Sequence, residues 1–463
     1  MESLLRERHA HRLARQGWSQ VLQTGDSLPA GVAEFPVREG NHVQTLVDGR
    51  DCFAAMLDAI RSARRTVHVA GWHANPDFLL TRAVPGTSLG EALADAVAAG
   101  SRVRVLLWGG APLPVMRPSR ADARLVREGF ARLPGVSVAL DDREYPLHCH
   151  HEKLLIVDDD VAFVGGLDLT DLQADRWDTS AHPPRASLGW HDVAVRIRGP
   201  VVADVAAHFR SRWTEVTGET LPAAVAGPQV GPHRAQFLRT IPENVYRFRA
   251  RGEFSILAEY RRALAGAQHF VYLENQFLWA PEIVDLLQEK LRNPPSPEFR
   301  LIVLLPRRPS TGRDTTLGQL SRLVEADQEG RMLAATLQSA AGKAPDTYVH
   351  AKVGIVDDRW LTIGSANLNA HSLFNDTEAN LVLTDPDLVR ATRLRLWSEH
   401  LGDREVEGST AEVFDDRWVP VAREQLRRRR SGLPPTHRLC ELEGVSARRD
   451  LVLGGLIGLL VDG

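Results

Sequence analysis

Lysine is almost missing from this chain: only Lys153, Lys290, Lys343 and Lys352 occur, and the other 52 of the 56 basic residues are arginine. A chain that spells nearly every positive charge as Arg has a reason to write Lys where it does. Cysteine is scarce too. Cys52, Cys149 and Cys440 lie far apart, which excludes a disulfide framework and a cysteine zinc site. There is no excess of charge, since 56 Lys+Arg stand against 59 Asp+Glu for a net −3. The global basic footprint of a nucleic-acid binder is therefore absent, although a local basic cleft is compatible with it. Long apolar runs are lacking, and the longest, Leu451 to Val461, is too short to span a bilayer. The N-terminal MESLLRERHAHRLARQ is basic without an apolar core, so it does not read as a secretory signal. The expectation is a cytoplasmic chain that touches membranes at most peripherally. The 463 residues, 43% hydrophobic and 25% charged, have the balance of a folded globular protein, long enough for one large domain or two to three ordinary ones.

Two halves follow one another. In the first, Thr66–Gly71 and Val103–Trp108 read as buried strands with a helical Leu89–Ala99 between them. Leu154–Val157 and Val161–Val164 flank an Asp-rich turn, Val193–Ile197 alternates as a strand, and Val201–Trp213 reads as a helix. In the second, Phe270–Leu273 and Leu301–Leu305 are strands around a helical Ala280–Leu291, and Val353–Val356 with Leu361–Ile363 repeats the hairpin. Alternating strands and helices predict an α/β class. The Pro- and Gly-rich Thr217–His233 separates the halves. The expected organisation is a repeat over 1–216, a linker over 217–235, a second repeat over 236–405 and a C-terminal extension over 406–463.

One stretch repeats without a gap. His151-Glu-Lys-Leu-Leu-Ile-Val-Asp aligns on His350-Ala-Lys-Val-Gly-Ile-Val-Asp, and further on Gly165 meets Gly364 and Asp168 meets Asn367. His and Lys two apart on an extended segment share a face. Two such segments related by a pseudo-twofold axis bring two imidazoles and two ammonium groups to one point. That set suits a phosphodiester: one His attacks phosphorus, the other protonates the leaving oxygen, and the lysines hold phosphoryl oxygens. The small residues Gly165-Gly166 and Gly364-Ser365 allow backbone to approach an anion. One HxKxxxxD is expected by chance roughly 0.01 times in such a chain, so two in register are a strong signal. The bland alternative is a duplicated fold whose His-x-Lys pairs merely sit on solvated strand edges.

The duplicated motif resembles that of the phospholipase D superfamily. The second copy, HAKVGIVDDRWLTIGSANLNAHS from His350 to Ser372, is close to that family's HxKxxxxD…GSANxNxRS pattern. Further similar stretches are Tyr272-Leu-Glu-Asn-Gln-Phe277, Trp190-His-Asp-Val193, Arg198-Gly-Pro200, Arg176-Trp-Asp178 and Asp376-Thr-Glu378. The resemblance covers roughly residues 40 to 400 and is nearest to phospholipase D proper. It implies two pseudo-twofold-related α/β repeats, each a mixed sheet flanked by helices, sharing one active site at their interface. It also implies no metal and no cofactor. Two departures stand out: His371 replaces the usual Arg, and Asp168 replaces the Asn common in bacterial members.

On that resemblance the catalytic set is His151, Lys153, Asp158, His350, Lys352 and Asp357. His151 is favoured as nucleophile, with His350 as acid and then base. Asp168, Asn367, Gly166 and Ser365 are expected at the substrate, and Glu274, Asn275 and Gln276 at the pocket wall unless this strand end only satisfies its own backbone. Asp192 and Glu378 are the candidates for orienting the imidazoles. Asp158 and Asp357, seven residues past their His and across a turn, carry the structural role usual for Asp in turns. Trp72, Trp108, Trp177, Trp190 and Trp279 are either core or part of a cage for a quaternary ammonium head group. Arg427–Arg430 reads as a solvated helix end before it reads as a lipid contact. The implied activity is hydrolysis of a glycerophospholipid to phosphatidate and an alcohol, with capacity for transfer, by a monomer in transient contact with a membrane surface. A cardiolipin synthase-like phosphatidyltransferase, a nuclease and an inactive scaffold are the competing readings. Nucleic acid is disfavoured as a partner by the charge balance.

Overall fold

The computed structural model describes residues 2–25, 27–113, 116–144, 148–183, 187–339, 346–403 and 405–445. Lys343 and the apolar 451–461 stretch lie outside them.

The first repeat runs β1 (Arg38–Val47), α2 (Gly49–Arg61, after an N-terminal α1, Glu2–Arg15), β2 (Thr66–Gly71), a short hairpin β3 (Leu79–Thr81) and β4 (Thr87–Ser88), α3 (Leu89–Ala98) and β5 (Arg102–Trp108). It continues with α4 (Arg120–Ala131), β6 (Val136–Asp141), β7 (Leu154–Val157), β8 (Val161–Gly165), β9 (Gly189–His191), β10 (Val193–Arg198) and α5 (Val202–Thr217). The second runs β11 (His233–Ile241), β12 (Glu253–Phe254), α6 (Ser255–Gly266), β13 (Phe270–Glu274), α7 (Pro281–Arg292), β14 (Arg300–Leu304) and α8 (Arg313–Ala326). Then come β15 (Met332–Leu337), β16 (Thr347–Val349), β17 (Val353–Val356), β18 (Trp360–Gly364), β19 (Glu378–Leu383) and α9 (Pro386–Leu401).

The two sheets have the same topology. The first is ordered β1-β10-β8-β7-β2-β5-β6, antiparallel except for the parallel pairs β2–β5 and β5–β6. The second is ordered β11-β19-β18-β17-β13-β14-β15, with β13–β14 and β14–β15 parallel. Antiparallel pairing of β1 with β11, Arg38 opposite Ala235, joins them into one surface. The strands read as unbroken apolar runs because both sheet faces are covered. One face of each sheet packs into its own core, around Phe53 and Phe130 in one repeat and Leu287 and Leu320 in the other. The opposite faces meet in a shared core, where Phe209 and Trp213 of α5 and Trp397 of α9 lie among Ile156, Val195, Ile355 and Leu381. Full burial of each such side chain contributes about 1.5–3 kcal/mol, so the two repeats are held as one body. Helices start where the sequence supplies caps: Ser88 with Glu91 and Ser119 with Asp122 form reciprocal capping boxes.

Three boundaries differ from expectation. β11 begins at His233, inside the stretch 217–235 read as linker, because pairing with β1 and β19 satisfies its backbone. The N-terminal segment packs on the second repeat, not the first. Leu13, Trp18 and Val21 enter that core, and Arg12 pairs with Glu243 at 2.7 Å. The extension contributes α10 (Thr410–Val413), α11 (Val419–Arg430) and β20 (Leu439–Glu441), which adds an antiparallel strand to β15. At the end of α11, Arg427 pairs with Glu424 at 2.7 Å and Arg429 with Asp346 at 3.3 Å. Among the described residues no helix is long and apolar enough to cross a membrane.

Candidate active site

The motif segments run straight into β7 and β17, the hairpin strands in the middle of each sheet. Each is tied across the molecule to the other repeat. His151 N donates to Thr377 O at 2.9 Å, and His350 N donates to His191 O at 2.8 Å. β9 and β16 run parallel, with Tyr348 opposite Trp190 and Val349 opposite His191. Thr377 and His191 each precede a carboxylate, so this crossed pairing delivers Glu378 to His151 and Asp192 to His350.

His151 Nδ1 lies 3.0 Å from Glu378 Oε1 and 3.2 Å from the Ser365 carbonyl. Both are acceptors, so Nδ1 carries the proton and Nε2 is left with its lone pair. His350 Nδ1 lies 2.6 Å from Asp192 Oδ2. Its ring stacks on Trp190 with centroids 3.8 Å apart. The lysines repeat one gesture: Lys153 Nζ donates to the His151 carbonyl at 2.6 Å, and Lys352 Nζ donates to that of His350. Lys153 also lies 3.4 Å from Asp168 Oδ2, and Lys352 lies 3.5 Å from Gln276 Oε1.

The two histidines face a cleft of about 390 Å³ lined by Trp72, Cys149, His151, Asp168, Gln173, Trp190, Gln276, Phe277, His350 and Asn367, with Lys153 and Lys352 reaching its wall through Asp168 and Gln276. Asn367 Oδ1 is buried there without a hydrogen-bond partner. Burial dominates the electrostatics of the second half-site. It pushes Asp192 up to about 7 against the pull of Lys352, and pushes Lys352 down to about 7 against that of Asp192. Burial, with Lys352 and Lys153 nearby, holds His350 well below its usual value. Up to about neutrality the Asp192–His350 pair thus holds one proton beyond the single ring proton of neutral His350. Arg176, stacked 3.9 Å from the Trp190 ring, is pushed down to about 10 by burial.

Several expected residues sit elsewhere. Asp158 and Asp357 are not in the cleft. Seven residues of extended chain span about 23 Å, and both occupy left-handed positions in the hairpin turns, at φ 55° and 53°. Asp158 accepts from the backbone N–H of Arg64, Arg65 and Thr66, each at 2.7 Å. Asp357 does the same for Gln268, His269 and Phe270 at 2.7–2.8 Å. They anchor the chain entering β2 and β13, a structural role. Gly166 does not contact the cleft either. A Cβ there would come 2.2 Å from Asp192 Oδ1, so the glycine admits the carboxylate and not an anion. Ser365 Oγ donates to Glu378 Oε2 and accepts from Ala379 N, positioning the carboxylate that holds His151. Asn275 Oδ1 accepts from Phe277 N and Leu368 N, each at 3.1 Å, shaping its own turn. Glu274 lies deeper, between His191 and His400 at 2.9 Å each. Of that trio only Gln276 lines the cleft. Of the tryptophans, Trp72 and Trp190 do so, while Trp108 stacks behind Trp72 and Trp279 donates to Thr316.

Cys149 and Gln173 line the cleft without a sequence signal, because they reach it from loops, whereas Phe277 closes the Tyr272–Phe277 stretch that resembles the family. Metal-ligating groups were also hidden. Linear spacing indicates none, yet among the described residues three sets of His and carboxylate atoms converge: Asp48, His182, His191, Glu399; His148, His371, Asp376; and His191, Glu274, His400. Each is assembled from distant segments.

Two α/β repeats that cross their carboxylates onto a pair of His-x-Lys half-sites define a duplicated fold built around one cleft lined by both histidines. A family described as "Cardiolipin synthase, PLD-like domain" matches residues 260–397. Phospholipase D A of Dictyostelium discoideum is 26% identical over 80% of this chain and 36% of its own length. Phospholipase D1 of Saccharomyces cerevisiae is 23% identical over 84% of this chain and 31% of its own. The chain thus spans about a third of these relatives. The crystal structure of phosphatidylserine synthase from Haemophilus influenzae Rd KW20 shares the fold, with a TM-score of 0.57 at 13% identity over 83% of this chain and 90% of that one. Sequence similarity over most of this chain thus supports a place in the phospholipase D superfamily.

Proposed function

We propose that this protein is a phospholipase D-type phosphodiesterase, which cleaves a glycerophospholipid to phosphatidate and the head-group alcohol through a phosphohistidine. The observation that carries this reading is the pair of crossed dyads, His151–Glu378 at 3.0 Å and His350–Asp192 at 2.6 Å, whose histidines line one cleft while Lys153 and Lys352 lie against its lining residues Asp168 and Gln276. The His151 Nε2 lone pair attacks phosphorus as the bond to the head-group oxygen breaks. The leaving alkoxide takes the proton held by the Asp192–His350 pair. Water then gives its proton to His350 as its oxygen attacks phosphorus, the N–P bond breaks, and phosphatidate leaves. The two ammonium groups neutralise the phosphoryl oxygens throughout, the task a metal ion performs elsewhere. The aromatic walls of Trp72, Trp190 and Phe277 suit a lipid or head group with apolar surface.

A primary alcohol in place of water would yield the phosphatidyl alcohol. The match of residues 260–397 to a cardiolipin synthase family favours transfer to a second lipid's hydroxyl as the alternative outcome of the same intermediate. The test is turnover of a mixed phospholipid panel, with and without a primary alcohol, beside single-stranded DNA. Phosphatidate, and phosphatidyl alcohol when alcohol is present, are expected. Product found only with a lipid acceptor supports the transferase. Cleavage of DNA with every lipid left intact overturns the lipid reading.

A further inference from the structure

Successive side chains of an extended segment point to opposite sides. Asp192 faces His350. Its neighbour His191 therefore turns away, into a cluster that the reaction above does not use, buried except for the partly exposed Glu399. One ligand atom from each of Asp48, His182, His191 and Glu399 lies within 4.8 Å of the others. The individual separations are 2.9 Å from His191 Nδ1 to Asp48 Oδ1 and 3.6 Å to Glu399 Oε1. His182 presents Nε2 at 3.1 Å from Glu399 Oε1 and Nδ1 at 3.7 Å from Asp48 Oδ2. In a tetrahedral zinc site with bonds near 2.0–2.2 Å, ligand atoms stand about 3.3–3.5 Å apart; the His191 Nδ1–Glu399 Oε1 separation is near that, and the 2.9 and 3.1 Å pairs are closer, at hydrogen-bond distance.

We propose that Asp48, His182, His191 and Glu399 form a structural site for a divalent transition-metal ion, zinc in the first instance, behind the cleft. Two observations beyond proximity point to a ligand. Asp48 Oδ2 is buried without a hydrogen-bond partner, on a residue with no exposed surface. Leaving such an oxygen unpaired costs several kcal/mol in apolar surroundings. The second is the outer layer. His191 Nε2 faces Glu274 Oε2 at 2.9 Å, and His182 Nδ1 faces Asp178 Oδ2 at 3.1 Å. A metal-ligating histidine characteristically donates its other ring N–H to a carboxylate, and Glu274 is in turn held by Tyr272 and His400. The donor set of two imidazoles and two carboxylates suits zinc better than calcium or magnesium, which favour all-oxygen shells. Four protein ligands close the site, as structural sites do and catalytic ones do not.

The consequence for the cleft is positional. Asp48 N donates to Asp192 O at 2.8 Å, and Asp192 N donates to Asp48 Oδ1 at 3.2 Å. Three ligands come from the first repeat, and Glu399 comes from α9 of the second. An ion here pins the repeats together one residue from the carboxylate that orients His350, while leaving the phosphoryl chemistry to the histidines and lysines.

The test is elemental analysis of the full-length protein, purified without chelator from zinc-supplemented medium and passed through gel filtration. About one zinc per chain is expected. His182→Gln and Glu399→Gln should each lose most of it and melt at lower temperature. His148→Gln, in the separate His148, His371 and Asp376 cluster, should keep it. Where a variant does not fold, wild-type protein stripped of metal and titrated with cobalt(II) should give the visible absorption of a four-coordinate nitrogen–oxygen site. Folded wild-type protein holding less than about a tenth of an equivalent of metal and giving no cobalt spectrum overturns the proposal. So does zinc lost in His148→Gln and kept in His182→Gln.

Discussion

The half-site of the first repeat and that of the second share their backbone and differ in how much water reaches them. His151 keeps 14% of its side-chain surface exposed and His350 keeps 4%. Lys153 has a carboxylate, Asp168, as its neighbour, whereas Lys352 is fully buried with the neutral Gln276. Trp190 covers His350, and no stacked ring covers His151 among the described contacts. Duplication supplied symmetric positions, and burial broke the symmetry. The dry half raises Asp192 and lowers Lys352, so it stores a proton near neutral pH. The open half presents a histidine whose Nδ1 is fixed and whose Nε2 is available.

The sharpest way to break this comparison is to remove each histidine in turn. His151→Asn and His350→Asn should each lower kcat on the order of 10⁴-fold or more. They should differ in trapping. With a substrate bearing a good leaving group, His350→Asn should still accumulate a phosphoryl adduct, and His151→Asn should form none. An adduct that persists in His151→Asn and vanishes in His350→Asn reverses the roles.

Next in size is the lysine test. A guanidinium is a wide planar fork where an ammonium is a compact point charge. Lys153→Arg and Lys352→Arg should each cost at least about tenfold to a hundredfold in kcat. The fully buried Lys352 sharpens the comparison, because Lys352→Arg should also lose about 1–3 kcal/mol by overpacking, read as a lower melting temperature. Lys290→Arg, whose lysine only donates to the Ala267 carbonyl at 2.8 Å, should be near neutral. Wild-type activity in either motif variant would show that the lysines are interchangeable charges.

The proton stored in the dry half predicts a pH dependence. As pH rises through about 7, Lys352 loses the charge that attracts the phosphate, and the Asp192–His350 pair loses the proton it must donate. Both losses act in the same direction, so kcat/KM should fall on the alkaline side, by up to about tenfold per unit for each proton. Asp192→Asn should displace that limb, whereas Glu378→Gln should lower kcat with the limb in place. A profile that climbs from pH 7 to 9 contradicts the assignment of the acid.

The smallest effect on chemistry is expected where the halves are most alike. Asp158→Asn and Asp357→Asn each weaken a carboxylate that accepts three backbone N–H groups. About 1–3 kcal/mol of stability should be lost in urea unfolding, with kcat per folded molecule within about twofold. A large kcat loss without destabilisation would return these aspartates to the chemistry.

Much of the fold was legible because it rests on local rules. Strand and helix periods and the repeated hairpin all act over a few residues, and an ungapped repeat reads as pseudo-symmetry. His151, Lys153, His350 and Lys352 were legible for the same reason, since two-residue spacing on an extended chain decides a shared face. The accessory residues were not. Ser365 and Gly166 sit beside the motifs in sequence, yet their partners are Glu378 and Asp192, and a neighbour in sequence need not be a neighbour of the substrate. Glu274 closes β13 and Asn275 follows it, beside the cleft residue Gln276, but alternation sends Glu274 to the opposite side of the chain.

By itself the sequence determined that two copies of one α/β unit each carry a histidine and a lysine on one face, with an aspartate in the turn that follows. Short-range stereochemistry suffices for that. Only the tertiary structure decided which carboxylate serves which histidine, because each dyad is completed by the opposite repeat across more than a hundred residues of chain. It alone decided which half-site is dry, since burial is a property of what packs above a group. It alone gathered Asp48, His182, His191 and Glu399, which no spacing rule connects, into one buried cluster.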